Sequence, residues 1–253
     1  MRRRQASLCL AVTVLGATAC TARALDVPLA LEATPAPEPT RRAQSLRCNG
    51  SGEGLLIRDF GVGTSPADEA LRADEQTLEF WFRSEALAEF DVTPVGYYYL
   101  DYRIDTRLEV PMLFVEIAQE GIAAPLSVRQ WHHVAIQLHR ANEGSVRVDL
   151  YGDGRLLATT ATERSDRVPN DQLGVCGYFN GHDKMNRAFA GEVDDLRLSR
   201  RIRYSEDFVP GGVHADEDTL LFLSFDEPTL RDAGPFGFPI EVLGDPQRGP
   251  GHP

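Results

Sequence analysis

The sequence predicts an all-β protein built as a two-sheet antiparallel jelly-roll sandwich, and three observations support this prediction. Residues 131–160 read as three consecutive strands, because apolar and polar side chains alternate with period two along each of them. Asp153-Gly154, between the last two strands, suits a tight hairpin turn, which needs positive φ at its centre. Further short runs of this kind follow along the chain, separated by Gly, Asn and Asp turns and without a long stretch of helical period.

The hairpin around Asp153-Gly154 also predicts a register. It places Leu150 opposite Leu157 and Val148 opposite Thr159, with their side chains on one face. The other predicted strands are 55–60, 77–83, 97–104, 108–118, 172–177, 189–198, 219–225 and 238–243.

Length and charge bound the function. The chain has 253 residues, which is room for one β-sandwich of about 200 residues with flanking segments. It carries 38 acidic and 26 basic side chains. This negative balance argues against nucleic acid or an anionic membrane surface as the main partner.

Residues 1–24 resemble an export signal, with basic residues at 2–4, a short apolar core at 8–16 and small residues after it. Two endings compete. Ala22-Arg23-Ala24 is a small-x-small cleavage site, whereas residues 17–20 resemble a bacterial lipobox in which Cys20 is acylated. The first ending predicts a periplasmic or secreted protein, and the second predicts an outer-membrane lipoprotein whose membrane contact is the lipid anchor.

The rest of the chain divides into three parts. Residues 25–45 are a Pro-rich linker, because proline lacks a backbone donor and fixes φ. Residues 46–245 form the predicted sandwich, and 246–253 are expected to be a disordered tail. Either ending of the export signal leaves Cys48 and Cys176 as the thiols available to pair, so we predict a disulfide between them in an oxidising compartment.

Four segments carry a family pattern: 77–83 (TLEFWFR), 131–135 (WHHVA), 148–154 (VDLYGDG) and 189–198 (FAGEVDDLRL). In this order and spacing they resemble the laminin G-like, concanavalin A-like lectin/glucanase domains of bacterial envelope proteins. The resemblance implies the jelly-roll fold and binding of carbohydrate or protein. It does not imply an enzyme, because one fold hosts many functions.

The expected function is therefore an exported, non-catalytic module that binds a glycan or an extracellular protein at the cell envelope. Two alternatives stay open: a glycoside hydrolase or lyase of the same fold, and a purely structural envelope module. Glu192 and Asp194 are the sharpest catalytic candidates, since retaining glycosidases of this broad fold carry alternating carboxylates on one strand. The next positions expected on that face are Leu196 and Leu198, so a second glutamate is missing and we predict no catalytic residues.

Aromatic and polar residues in two segments are the candidate ligand contacts, since an exposed tyrosine ring can stack on a sugar and loops on a rigid scaffold carry binding. The residues chosen are Tyr97, Tyr99, Tyr178, Asn180 and Asp183. Calcium is the one cofactor left open, because loop acids are plentiful while no linear calcium motif is present. The spacing of His132, His133 and His139 argues against a shared metal ion. Trp131 is expected to pack in the core of the sandwich.

Overall fold

In the computed structural model of the protein, the described residues are 43–58, 73–86, 92–97, 100–105, 112–117, 120–125, 127–140, 145–163, 172–178 and 186–253. The elements assigned within these ranges are all strands. They are β1 (Gln44–Asn49), β2 (Gly54–Ile57), β3 (Glu75–Ser84), β4 (Val95–Tyr97), β5 (Leu100–Asp105), β6 (Met112–Ile117), β7 (Glu120–Pro125), β8 (His132–Arg140), β9 (Ser145–Gly152), β10 (Arg155–Glu163), β11 (Leu173–Val175), β12 (Ala190–Ser199), β13 (Thr219–Leu223), β14 (Ile240–Leu243) and β15 (Gln247–Pro250).

The strands form two antiparallel sheets, as the sequence predicts. The larger sheet has the order β10-β9-β8-β3-β12-β1-β15, with β13 also paired to β12. The smaller sheet has the order β14-β2-β11-β4-β5-β6-β7. Strands that are far apart in the chain are therefore neighbours in space, and β12 joins β1, β3 and β13.

One apolar core lies between the two sheets. Phe80, Phe82 and Ile136 come from the larger sheet, and Leu55 and Val175 come from the smaller one. Alternation places every second side chain of β3 and β8 in this core. The intervening side chains lie on the opposite face of the larger sheet, which we call the outer face.

The β9–β10 hairpin differs from the predicted register by one residue. Leu150 pairs with Ala158 and Val148 pairs with Thr160, because a β-bulge at Leu157 adds one residue to β10. Leu157 is consequently 43% exposed instead of facing Leu150 across the sheet. The bulge could not be predicted from alternation, since polar and apolar residues do not alternate cleanly through 156–160.

The turn itself matches the prediction. Asp153 and Gly154 have φ angles of 49° and 78°, as a tight hairpin turn requires. Glycine is needed at 154 for a second reason, because a Cβ there would lie 1.9 Å from the carbonyl oxygen of Phe208. The turn is thus the place where the chain after β12 crosses over the hairpin.

A second bulge corrects the expected arrangement of β12. The pairing of β12 with β3 shifts between Asp194 and Arg197, and Asp195 has a positive φ of 46°. The extra residue brings Leu196 into the core, and it brings Arg197 onto the outer face that Glu192 and Asp194 share. The prediction that the two leucines follow the carboxylates on one face is therefore wrong.

Two segments cover much of the outer face. Residues 200–216 run across β3 and β8, where the Gln137 side chain accepts hydrogen bonds from the backbone of Arg203 (2.9 Å) and Tyr204 (2.8 Å). Residues 249–252, which we call the covering segment, lead from β15 to His252, whose backbone and imidazole contact Asp194 of β12 on the outer face. Ordered backbone in both segments explains why polar side chains on this face are buried.

Residues 246–253 are ordered, in contrast to the predicted disordered tail. Strand β15 pairs with β1 from Gln44↔Pro250 to Arg47↔Gln247. Gly249 and Gly251 let the backbone approach closely, since a Cβ at either position would lie within 3 Å of a carboxylate oxygen of Glu192 or Asp194. The glycines of this segment allow close packing against the sheet.

The predicted disulfide is confirmed. Cys48 and Cys176 are bonded with their Cα atoms 6.3 Å apart, and both side chains are buried in the core. The bond links the end of β1 in the larger sheet to the residue after β11 in the smaller sheet. No helix long and apolar enough to cross a membrane occurs among the residues that the structure describes.

Candidate functional site

The predicted ligand residue that the structure describes in full is Tyr178. Its backbone pairs with Asn186 through two hydrogen bonds of 2.9 and 2.8 Å, at the base of the 179–185 segment. The Arg187 guanidinium lies over the Tyr178 ring, 5.7 Å from its centroid. Tyr178 also packs against β4, because a Cβ on Gly96 would lie 3.1 Å from its Cβ. We call this group of Tyr178, Asn186, Arg187 and Gly96 the Tyr178 corner.

The other predicted ligand residues are only partly within the described chain. Tyr97 is the last residue of β4, directly follows Gly96 and pairs with Leu173 of β11. The structure therefore brings the backbone of β4 next to Tyr178. Tyr99, Asn180 and Asp183 lie outside the described residues, so their part in the site stays a prediction.

A buried charge network occupies the outer face of β3 and β12. The Glu79 carboxylate accepts hydrogen bonds from Arg197 Nε (2.9 Å) and Nη2 (2.6 Å) and from the Tyr204 hydroxyl (2.6 Å). His133 Nε2 lies 3.4 Å from the same carboxylate. Burial alone would raise the pKa of Glu79, but the His133 hydrogen bond, the Arg197 charge and the Tyr204 hydrogen bond together hold it below its usual value.

The carboxylates of Glu192 and Asp194 are buried beneath the covering segment. Glu192 Oε2 lies 2.5 Å from Arg83 Nη2. Asp194 Oδ2 accepts hydrogen bonds from the backbone and the Nδ1 of His252, both at 3.0 Å. Both residues are less than 2% exposed. Two carboxylates held in this way are closed to a substrate, in contrast to the open pair that a glycosidase needs.

His252 ties the covering segment to the outer face. Its ring stacks on Trp81 with a centroid distance of 4.5 Å and an interplanar angle of 14°. It meets the Trp131 ring edge-on at 6.3 Å. The expectation that Trp131 packs in the core is wrong, because Trp131 is half-buried on this side and Arg83 lies 5.7 Å over its ring. Trp131 precedes β8, so its side chain is not bound to the alternation of that strand.

The carboxyl groups of Asp194 and Asp195 both have raised pKa values. Burial, and then the charge of Asp194, raises the pKa of Asp195 to about 7. Burial also raises the pKa of Asp194, against the hydrogen bonds from His252. Burial would lower the pKa of His252, but its hydrogen bond to Asp194 and the charges of Asp194, Asp195 and Asp226 together raise it. The pKa values of Asp194, Asp195 and His252 are therefore all above those of the isolated groups, so each of them binds its proton more tightly.

We expect Asp195→Asn to change how stability depends on pH. Because its folded-state pKa is raised from 3.8 to about 7, Asp195 contributes most to stability below its unfolded pKa, and this contribution is lost as pH rises to about 7. Asparagine keeps the shape and tolerates the positive φ at this position. The unfolding free energy of the variant minus that of the wild type should therefore rise from about pH 4 to about pH 7 and then level off.

Chemical denaturation of both proteins across that range checks this expectation. The difference between the two proteins is the relevant quantity, since other carboxyl groups titrate in both. A difference that stays constant with pH would show that Asp195 ionises as freely in the folded chain as in the unfolded one.

Three of the loop acids considered for calcium contact the protein's own groups. Asp216 forms a bidentate ion pair with Arg203, and this pair holds the pKa of Asp216 far below its usual value. Asp218 contacts Arg201 at 3.0 Å, and Asp226 accepts the backbone N–H of Gln44 at 2.8 Å. Within the described ranges no three His, Cys, Asp or Glu side chains are placed to hold a metal ion.

Two solved structures similar to this chain have the same fold. A putative carbohydrate-binding protein from Bacteroides ovatus is 19% identical with a TM-score of 0.57, and the match covers 82% of this chain and 62% of that one. The heptameric SAP-like pentraxin of Limulus polyphemus is 12% identical with a TM-score of 0.50, and the match covers 83% and 96%. This chain thus spans less than two thirds of the Bacteroides protein, and at such identities the likeness concerns the fold.

Comparison with curated proteins gives no significant match. The family model for the concanavalin A-like lectin/glucanases superfamily, of the laminin G type, matches residues 61–207. These residues include β3, β8 and β9, which carry three of the four segments quoted above, and most of the fourth lies in β12 within the same range. Because the match spans more than half of the sequence, the chain belongs to the concanavalin A-like lectin/glucanases superfamily.

Proposed function

We propose that this protein is an exported, non-catalytic module that binds a glycan at the Tyr178 corner. The observation that carries the proposal is the half-buried Tyr178 ring with the Arg187 guanidinium 5.7 Å from its centroid. An aromatic face beside a cationic donor suits a sugar ring, which presents C–H groups on its face and hydroxyl acceptors at its edge. The two hydrogen bonds to Asn186 hold the backbone of this residue in place.

The outer face of the larger sheet is covered by other parts of the chain, and this supports a binding site at the Tyr178 corner. Residues 200–216 and the covering segment lie on its outer face, where Glu79, Glu192 and Asp194 are buried. The Tyr178 corner lies instead against β4 of the smaller sheet, and Tyr178 and Asn186 pair outside its named strands. Loops beside a rigid sheet are common places for binding residues.

The same burial supports a non-catalytic role. Glu192 contacts Arg83 and Asp194 contacts His252, so neither carboxylate faces an open cleft. No specific observation favours the hydrolase, lyase or purely structural alternatives. The similar Bacteroides structure is described as a putative carbohydrate-binding protein, which is consistent with a glycan ligand for this chain.

The expected result of Tyr178→Ala is a loss of glycan affinity of about tenfold or more, because stacking on an aromatic ring contributes on the order of 1–2 kcal/mol. A glycan array probed with the wild type, with and without calcium, supplies the ligand for the titration. Tyr178→Phe, which keeps the ring, is the matched control and should retain most of the affinity. Equal binding by wild type and Tyr178→Ala would place the glycan elsewhere.

Export and the lipid anchor at Cys20 are part of the proposal. The Cys48–Cys176 bond supports export, because disulfides persist in oxidising compartments. Mass spectrometry of the mature protein is expected to show an acylated Cys20 at its N-terminus. An unmodified chain that begins at Leu25 would contradict the anchor and leave a periplasmic or secreted protein.

A further inference from the structure

The ring of His252 lies in a cradle formed by two tryptophans and two aspartates. Trp81 stacks on one face of the imidazole at 4.5 Å, and Trp131 meets it edge-on at 6.3 Å. Asp194 Oδ2 is 3.0 Å from Nδ1, and Asp195 Oδ2 is 3.8 Å from Nε2. We call Trp81, Trp131, Asp194 and Asp195 the cradle. It holds a flat ring with an N–H donor at its edge.

Negative charge prevails around this ring. Asp194, Asp195 and Asp226 all act on His252 electrostatically. Two cations lie nearby. Arg83 lies over the Trp131 ring and pairs with Glu192, and the Arg248 guanidinium donates to the backbone carbonyls of Phe225 and Glu227. The cradle therefore favours a cationic occupant over a neutral one.

Beside the cradle, buried polar atoms are left without well-aligned hydrogen bonds. Glu192 Oε2 is ion-paired with Arg83 Nη2 at 2.5 Å, whereas within the described chain Oε1 accepts no hydrogen bond and Arg83 Nε donates none. Glu192 is fully buried and points at the covering segment, since a Cβ on Gly249 would lie 2.3 Å from Oε1. Unsatisfied buried acceptors and donors are costly and commonly mark places where a ligand or water completes the site.

We propose that the cradle is a second binding site, closed in this state by the protein's own His252, and that its external ligand is a glycan bearing an amino sugar with a free ammonium group. The C–H face of such a sugar would take the place of the imidazole on Trp81. Its ammonium group would lie against Asp194 and Asp195, and its hydroxyls would supply partners for Glu192 and Arg83. A histidine side chain from a partner would match the stacking and the charge, but it would leave those last two groups unsatisfied.

Few contacts hold the closing residue in place. Gly251 donates its backbone N–H to the Ala43 carbonyl at 2.8 Å, and His252 donates its own to Asp194 at 3.0 Å. The imidazole contacts are the remaining link to the cradle. Removal of the side chain should therefore open the cradle without loss of the strand pairing between β15 and β1.

The test uses His252→Gly in the full protein, with intrinsic tryptophan fluorescence as the readout. The chain contains two tryptophans, and both belong to the cradle, so the signal reports on this site. The probes are imidazole, methyl β-D-glucosaminide, its N-acetylated form and methyl β-D-glucoside. We expect saturable changes with imidazole and the glucosaminide, about tenfold tighter binding of the glucosaminide than of either neutral sugar, and at least about tenfold weaker binding to wild type.

His252→Ala, which keeps both backbone hydrogen bonds, is the second variant if glycine at 252 unfolds the protein. Trp81→Ala combined with His252→Gly is the matched control, and it should lose binding of both imidazole and glucosaminide. Folded variants that bind neither probe would overturn the proposed site. Binding of imidazole alone, or equal binding of the three sugars, would overturn the amino-sugar ligand. These outcomes do not depend on whether a glycan binds at the Tyr178 corner.

Discussion

Glu79→Ala is expected to lower the free energy of unfolding by about 3–5 kcal/mol, because it leaves the Arg197 guanidinium buried without its carboxylate partner. Glu79 is fully buried and accepts two hydrogen bonds from Arg197 and one from Tyr204. Arg197 would keep its bond to the His214 carbonyl at 2.6 Å, but that bond does not neutralise its charge. Urea denaturation at neutral pH measures the change.

Glu75→Ala is the matched control for this substitution. Glu75 opens the same strand and is exposed, so its loss should change stability by less than about 0.5 kcal/mol. A loss of under about 1 kcal/mol for Glu79→Ala would mean that water reaches Arg197 and that residues 200–216 do not seal this face.

Removal of the Cys48–Cys176 bond is expected to lower the free energy of unfolding by about 4–5 kcal/mol in the chain-entropy model. The large value follows from the sequence separation of 128 residues, since a long closed loop restricts the unfolded chain strongly. The bond also joins the two sheets, so its loss should lower the resistance of both to unfolding. Denaturation of the Cys48→Ala/Cys176→Ala variant tests this expectation.

Wild type in reductant is the companion measurement to the double variant. The two should lose similar stability, because both lack the cross-link. They differ in that the reduced protein keeps its sulfur atoms in the core. If thiol titration of the purified native protein finds Cys48 and Cys176 free, the pairing is absent in solution.

Regular alternation made the central strands predictable, whereas the two bulges were not predictable. The sequence pattern of Phe80 and Phe82 in β3, and of Ile136 in β8, predicts the core face correctly. The bulges at Leu157 and Asp195 each insert one residue, and alternation carries no signal for an insertion at these positions. The run predicted at 97–104 likewise divides into β4 and β5, which pair with each other.

The candidate site was predicted less completely, because its residues depend on segments that cover a sheet. Tyr178 could be chosen as an aromatic residue next to a polar loop, and the structure places it against β4 with Arg187 over its ring. The roles of Glu79 and His252 could not be predicted from the sequence. A charged residue that alternates with core positions is expected to face solvent unless a covering segment is known, and the residues around His252 were expected to be disordered.

The most direct test of this account is an NMR titration of the wild-type protein with the glycan that the array selects. If the Tyr178 corner is the binding site, the largest backbone amide shifts should occur at Gly96, Tyr178, Asn186 and Arg187, the glycan should stay intact, and the amides of Glu79, Glu192 and Asp194 should not shift. Shifts that centre on Glu192 and Asp194, together with cleavage of the glycan, would contradict the account and identify the closed face as a catalytic cleft.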